Sequence, residues 1–197
     1  MNIDNDILLT WGATIKKYNK GEIIFEEGNE ARFFYQIMAG EVKMFNLNQD
    51  CREFTQGIFK EGNSFGEPPL FINEPYPASA ITTKESVLIK LSKEQFLKIL
   101  DEYPRVQRTF LIEFAKRIYV KSISARDNIN NPPDLRILGF LNSLKNKDVT
   151  SMEKVLVPHT RQEIANLTGL RVETVIRTLK KLHTQKKVEI VKHKLYH

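Results

Sequence analysis

Only one cysteine, Cys51, occurs in the 197 residues. That excludes an internal disulfide and any metal cluster needing several thiolates from a single chain, and a reducing, cytoplasmic setting is expected. Cys51 lies between Asp50 and Arg52 in a polar stretch that reads as a hairpin turn, an ordinary place for a surface thiol. The four histidines, His159, His183, His193 and His197, all fall near the C-terminal end, so the rest of the chain has no imidazole to offer a haem or a metal. No apolar run approaches the roughly 20 residues that cross a bilayer, and no signal peptide opens the chain. No membrane partner is therefore expected. Catalytic patterns are missing too. Glu67 is the best candidate for general acid or base work, yet no His, Cys or Ser arrangement accompanies it. No catalytic or metal-ligating residue is assigned, and an enzyme is not expected.

Charge is present in quantity but is unevenly spread. Residues 131–197 hold 13 Lys and Arg against 6 Asp and Glu, a net of +7; residues 1–130 hold 17 against 18, a net of −1. The whole excess of the +6 chain lies in its last third, as neutralisation of a phosphate backbone requires. Within that third, residues 159–182 read as a helix–turn–helix. Ile164, Ala165 and Leu167 give a first helix its buried side, and Gly169 supplies the turn. Val175, Leu179 and Leu182 then mark the inner face of a second helix. Its other face carries Arg171, Val172, Glu173, Arg177, Lys180 and Lys181, which offer donors and an acceptor to base edges in a major groove. Ile176 fits as a further core residue. Double-stranded DNA is the expected partner. A pair of solvated helices packed as a hairpin is the bland alternative.

The remaining segments fall into place around this motif. Residues 14–91 read as all-β, with short apolar runs at Ile23–Phe25, Phe33–Met38, Val42–Leu47, Phe54–Phe59 and Val87–Leu91, punctuated by glycines. A small antiparallel barrel or roll is expected, with an unrelated sandwich left open. Ser92 and Gln95 form a capping box for a following helix. After Tyr103-Pro104 a long helix is predicted to about Ile129, with Leu111, Ala115, Ile118, Ser122, Ala125 and Ile129 at coiled-coil spacing. This seam predicts a homodimer, while Val106, Phe110 and Phe114 on another side suit packing against the β domain. Pro132 and Pro133 end the helix, and Asp134 is a natural N-cap for the next, whose apolar side is Leu135, Leu138, Leu141 and Leu144. A terminal hairpin, Val188–Val191 and Leu195-Tyr196 around a basic tip, completes a winged helix. The fold class is α+β: an N-terminal effector or sensor domain over residues 1–103, a dimerisation helix and hinge over 104–130, and a DNA-binding domain over 131–197.

This arrangement resembles the Crp/Fnr family of bacterial transcription regulators, over nearly the whole chain. Phe65-Gly66-Glu67 with Leu70-Phe71, and Thr160-Arg161-Gln162-Glu163-Ile164-Ala165 with Glu173-Thr174-Val175 and Arg177, carry the resemblance. It implies a cyclic-nucleotide-binding-like roll in which Gly66 and Glu67 match the pair that holds a ribose. The Arg-Ser pair that binds the cyclic phosphate in such domains falls here within Tyr76-Pro77-Ala78-Ser79, where no arginine stands. The Thr-Ser pair that reads adenine is replaced by Lys121-Ser122. A buried phosphate without its cation is costly, so the pocket formed by Gly66, Glu67, Ala78, Ser79, Lys121 and Ser122 is read as degenerate for cyclic AMP. A cyclic nucleotide bound through an altered pocket, with Lys121 as the cation, is the alternative. Neither a haem nor an iron–sulfur cluster is expected; another small effector, or none, is open.

The same resemblance implies roles on DNA for Thr160, Arg161, Gln162, Arg171, Val172, Glu173, Arg177, Lys181 and, in the wing, Lys194. A Val-Glu opening with the later Arg resembles the oxygen-responsive branch, which reads TTGAT-type half-sites, rather than the Arg-Glu opening that reads TGTGA-type ones. Glu173 would accept from a cytosine amino group, Arg177 would reach a guanine, and Val172 would touch a thymine methyl. Ile176 stands where that branch has Ser. Contact with RNA polymerase, common in the family, is the further partner implied.

Overall fold

The computed structural model describes residues 2–51, 53–144 and 155–197, without the side chains of residues 123–130. The chain divides into two compact units, Met1–Ile118 and Tyr119–His197. The N-terminal unit opens with helix α1 (Asn5–Thr10), capped by the Asp4 carboxylate, which accepts from the Asp6 N–H at 2.8 Å. Eight strands follow: β1 (Thr14–Tyr18), β2 (Ile23–Phe25), β3 (Phe33–Ala39), β4 (Glu41–Leu47), β5 (Glu53–Lys60), β6 (Ser64–Phe65), β7 (Ser79–Thr82) and β8 (Ser86–Ser92). They form two four-stranded antiparallel sheets, ordered β1-β8-β3-β6 and β2-β7-β4-β5. Helix α2 (Pro68–Ile72) interrupts the strands between β6 and β7. Alternation places Val42 and Met44 inward from β4, while Cys51 turns the β4–β5 hairpin at a φ of 56° and is exposed.

After the roll come α3 (Lys93–Glu102) and α4 (Pro104–Asn130). The Ser92 hydroxyl caps α3 by accepting from the Gln95 N–H at 3.3 Å. Pro104 starts α4 because a proline at the first helical position loses no bond the helix would have made. Phe110 of α4 is fully buried and stands edge-on to Phe34 and Phe96, with ring centroids 6.1 and 5.5 Å away; Val106 and Phe114 pack beside it. The helix thus closes the roll with one face. Leu111, Ala115 and Ile118 lie on another and are exposed, Leu111 and Ile118 by about two thirds. The end of the seam, Ala125 and Ile129, lies outside the described side chains.

The C-terminal unit contains α5 (Pro133–Leu144), α6 (Arg161–Thr168), α7 (Val172–Thr184) and a hairpin of β9 (Glu189–Val191) and β10 (Lys194–Tyr196). Helix α5 starts one residue before the expected N-cap. Pro133 is its first residue, and Asp134 sits in its first turn, where the carboxylate accepts from the Leu135 N–H at 3.1 Å. Its buried side also differs from the expected one. Ile137 and Leu141 are buried with Leu138 partly so, whereas Leu135 and Leu144 are exposed. A strict spacing of three walks about 60° round the helix at each step, so such a row cannot stay on one face. The second core joins Ile137 and Leu141 to Ile164, Ala165, Val175, Leu179, Leu182, Val188 and Leu195.

Candidate functional site

In the N-terminal unit the Gly66 backbone has a φ of +74°, and a Cβ there would come within 3.0 Å of the Phe25 ring and 3.3 Å of Tyr76. Glycine serves both the turn and the close approach. The Phe25 and Tyr76 rings stack at 3.7 Å, and Tyr35 and Phe65 extend the cluster. The Tyr76 hydroxyl donates to the Phe33 carbonyl at 3.1 Å, and burial pushes its pKa up to about 12. Next along the chain, Glu67 is a buried carboxylate with no exposed surface. Burial raises its pKa, opposed by the Ser64 hydroxyl and the Arg117 charge. Arg117, from α4, brings Nη1 to 3.6 Å from Glu67 Oε2, donates from Nη2 to the Ser64 carbonyl at 3.4 Å and faces the Phe59 ring. Neither carboxylate oxygen has a partner at full hydrogen-bond geometry among the described residues, and the buried Ser64 hydroxyl beside it has none either.

Arg117 is the functional candidate that sequence reasoning missed. Its signal is a basic residue seven positions after Phe110 and three after Phe114, on the helix side that meets the roll. The expected phosphate position is different in character. Ala78 is buried, and the hydroxyl of half-buried Ser79 accepts from the Glu27 N–H at 3.0 Å. Tyr76 exchanges backbone bonds with the same loop, donating to the Asn29 carbonyl and accepting from the Gly28 N–H, both at 2.9 Å. The segment is thus tied to a stretch carrying Glu26 and Glu27, acids rather than a cation. Lys121 and Ser122 are exposed residues of the C-terminal unit.

In that unit Thr160 and Glu163 form a reciprocal capping box at the start of α6, with bonds of 3.1 and 2.7 Å. Gly169 ends α6 in the left-handed conformation at a φ of 65°, and α7 begins three residues later. Arg161 reaches the wing turn, donating to the His193 carbonyl at 3.4 Å, and Gln162 donates to Asn166. Arg171, Glu173 and Arg177 are exposed on or beside the first turns of α7. Lys181 is exposed and pairs with Asp134 at 3.3 Å, linking α7 to the start of α5. From α5, Arg136 also donates to the Thr168 carbonyl at the end of α6, a second tie that composition alone did not reveal. Lys194 is exposed beside a two-residue turn in which Lys192 and His193 both adopt positive φ.

Two aliphatic residues of α7 change places relative to expectation. Val172 is half-buried and packs against the second core. Ile176, which fitted as core, is instead 40% exposed. The inner face is already filled by Val175, Thr178, Leu179 and Leu182, and a residue directly after Val175 is rotated about 100° away from it.

A cyclic nucleotide-binding domain model matches residues 15–103, and a Crp-like helix-turn-helix domain model matches residues 135–196. The cAMP-activated global transcriptional regulator CRP of Escherichia coli is 25% identical over 178 residues, covering 87% of this chain and 83% of that protein. The nitrogen fixation regulation protein FixK of Bradyrhizobium diazoefficiens is 24% identical over 182 residues, covering 88% and 73%. Among solved structures, the c-di-GMP responsive global regulator CLP of Xanthomonas campestris matches with a TM-score of 0.83 at 23% identity, over 98% of each chain. The two matched models sit in the order of the two units, and the similarity to whole regulators runs through both. This chain belongs to the Crp/Fnr family of DNA-binding transcription regulators.

Proposed function

We propose that the protein acts as a homodimer on palindromic promoter sites and does not take cyclic AMP as its effector. In this reading residues 1–103 sense or stabilise, 104–130 dimerise and form the hinge, and 131–197 hold the DNA. The exposed Arg171, Glu173 and Arg177 at the start of α7 carry the DNA reading, since they present donors and an acceptor where base edges lie. Thr160, Arg161, Gln162, Lys181 and Lys194 surround them and suit phosphate contacts. The exposed seam of Leu111, Ala115 and Ile118 supports the dimer. RNA polymerase is the further partner this reading implies.

The case against cyclic AMP rests on the 76–79 segment. It offers no cation, its Ser79 hydroxyl already accepts a backbone bond, and the loop it joins is acidic. One observation favours a second reading, a nucleotide held in an altered way. The Glu67 carboxylate and the Ser64 hydroxyl beside it make no hydrogen bond of full geometry, so a ligand hydroxyl or amino group beside Arg117 would add a partner to the carboxylate. Selection of bound sequences from random DNA, repeated with and without cyclic AMP and cyclic di-GMP, tests both readings. Enrichment of one palindrome regardless of nucleotide is the expected result. Nucleotide-dependent enrichment would establish the second reading, and no enrichment would sink the first.

A further inference from the structure

The turn between α6 and α7 is held from outside itself. Helix α6 ends at Thr168, and its last carbonyls have no partner within the helix. The Ala165 carbonyl accepts from the N–H groups of Gly169 and Leu170. The Thr168 carbonyl accepts from Nη2 of Arg136, a residue of α5 that lies 32 positions earlier. A guanidinium at the C-terminal end of a helix also meets the negative pole of its dipole. Beyond the turn α7 starts at Val172, and its N-cap residue, Arg171, makes no side-chain cap. No cap at its own start therefore fixes how α7 leaves the turn. The same Arg136 guanidinium is poorly matched elsewhere: Nε is buried and makes no hydrogen bond among the described residues. A buried donor without a partner costs stability, so an apolar side chain of similar length would hold the core at least as well. Two residues earlier on α5, Asp134 pairs with Lys181 of α7 at 3.3 Å. The first turn of α5 thus grips the end of α6 with one residue and α7 with another.

We propose that Arg136 is a positioning residue for DNA reading, which sets the angle at which α7 leaves the turn while touching no DNA itself. The inference rests on the reading of α7 as the groove-facing helix. Base edges are read through hydrogen bonds that weaken steeply with distance and angle. Phosphate contacts carry no sequence information, and lysines make them from flexible stems that follow a shifted helix. Loosening the turn therefore costs discrimination between sequences and leaves general affinity for DNA in place.

Arg136→Met keeps much of the side chain's length and removes its donors. With the palindrome enriched by selection and a scrambled duplex as probes, the ratio of the two affinities should fall about tenfold, the worth of one misplaced base contact. Affinity for the scrambled duplex should stay within about twofold, and the salt slope should not change. Arg136→Lys, which keeps a donor for the Thr168 carbonyl, should recover most of the ratio. Amide hydrogen exchange separates positioning from folding. In Arg136→Met the amides of Gly169 and Leu170 should exchange faster, while those of Leu179 and Leu182 keep their protection. Equal losses on both duplexes, with a salt slope smaller by about one, would make Arg136 a phosphate contact and overturn the proposal. An unchanged ratio, or exchange that quickens throughout the unit, overturns it too. Arg177→Ala separates the two layers. If it leaves sequence preference intact, α7 is not the reading helix; if it relaxes preference while Arg136→Met does not, the role of Arg136 alone fails.

Discussion

Arg117 of the long helix stands 3.6 Å from the carboxylate of Glu67, and that carboxylate has no contact with solvent. The two residues join α4 to the turn at Gly66 by charge, beside the aromatic contacts of Phe110 and Phe114. An ion pair without hydrogen bonds is a weak return for burying an acid. Removing the arginine alone would nevertheless leave a buried acid without its counter-charge.

Glu67 gives the roll a pH dependence of definite sign. Burial raises its folded pKa, while in the unfolded chain a glutamate titrates near about 4.3. Above that pH the folded state still holds a proton that the unfolded chain has released. The associated stability is present at low pH and is lost as pH rises through the folded value. Glu67→Gln should therefore gain stability relative to the unmodified protein between about pH 4 and pH 7, with the two converging at the acid end. Arg117→Met should cost about 1–3 kcal/mol at neutral pH and less near pH 4, a range reduced because Arg117 is one-third exposed. Urea midpoints across pH measure both, and differences that do not vary with pH would contradict the assignment.

Phe110 should be the most sensitive aromatic on α4. It is 2% exposed and meets Phe34, Phe96 and Phe114 edge-on. Phe110→Ala should destabilise the N-terminal unit by about 3–5 kcal/mol, since the cavity cannot be refilled by rigid rings. Leu111→Ala, next to it but exposed, should change the stability of the isolated chain by no more than about 0.5 kcal/mol. Equal losses for the two would place the helix face wrongly.

What could be read from sequence was whatever depends on local periodicity and local caps. The alternation of β4, the inner face of α7, the Gly169 turn and the proline break before α5 are all of this kind. Short strands such as β6 and β7 were not legible, because Ser64-Phe65 and Ser79–Thr82 owe their conformation to partners distant in sequence. The same holds for the N-terminal segment, where the buried amide of Gln36 both accepts from the Ile3 N–H and donates to its carbonyl, each at 2.8 Å. At the sites, Gly66 and Glu67 were recognisable as a motif, but the pairing with Arg117 spans 50 positions of sequence and needed the fold. Ile176 went to the core on hydrophobicity alone. Periodicity would have placed it outward, since Val175 and Leu179 already define the inner row.

The exposed seam of α4 predicts a two-fold dimer. Ile118→Asp would set like charges opposite one another across such a seam, so the variant should sediment as a monomer and lose most DNA affinity. Because Ile118 is about two-thirds exposed, thermal unfolding of the monomer should change little. Sedimentation of the unmodified protein as a monomer at micromolar concentration would remove the basis for the dimer.

On DNA, residues that read bases and residues that hold phosphates should separate by their salt and sequence dependence. Half-site centres should lie about one helical turn, roughly 34 Å, apart. Arg177→Ala should cost about 1–3 kcal/mol and relax discrimination at one guanine, because it removes a base contact. Glu173→Ala should chiefly lose discrimination against bases lacking the cytosine amino donor. Lys194→Ala should instead weaken all sequences about equally and reduce the salt slope by about one, as a phosphate contact does. Val172→Arg is the most demanding of the set. The side chain would start from a half-buried position against the second core, so some packing is lost, yet an arginine is long enough to extend from there into the groove. It recreates the Arg-Glu opening ahead of Arg177, and preference should move from a TTGA-like toward a GTGA-like half-site in a fresh sequence selection. An unmoved preference, with Arg177→Ala still relaxing its own position, would show that position 172 stays against the core and that the reading begins at Glu173.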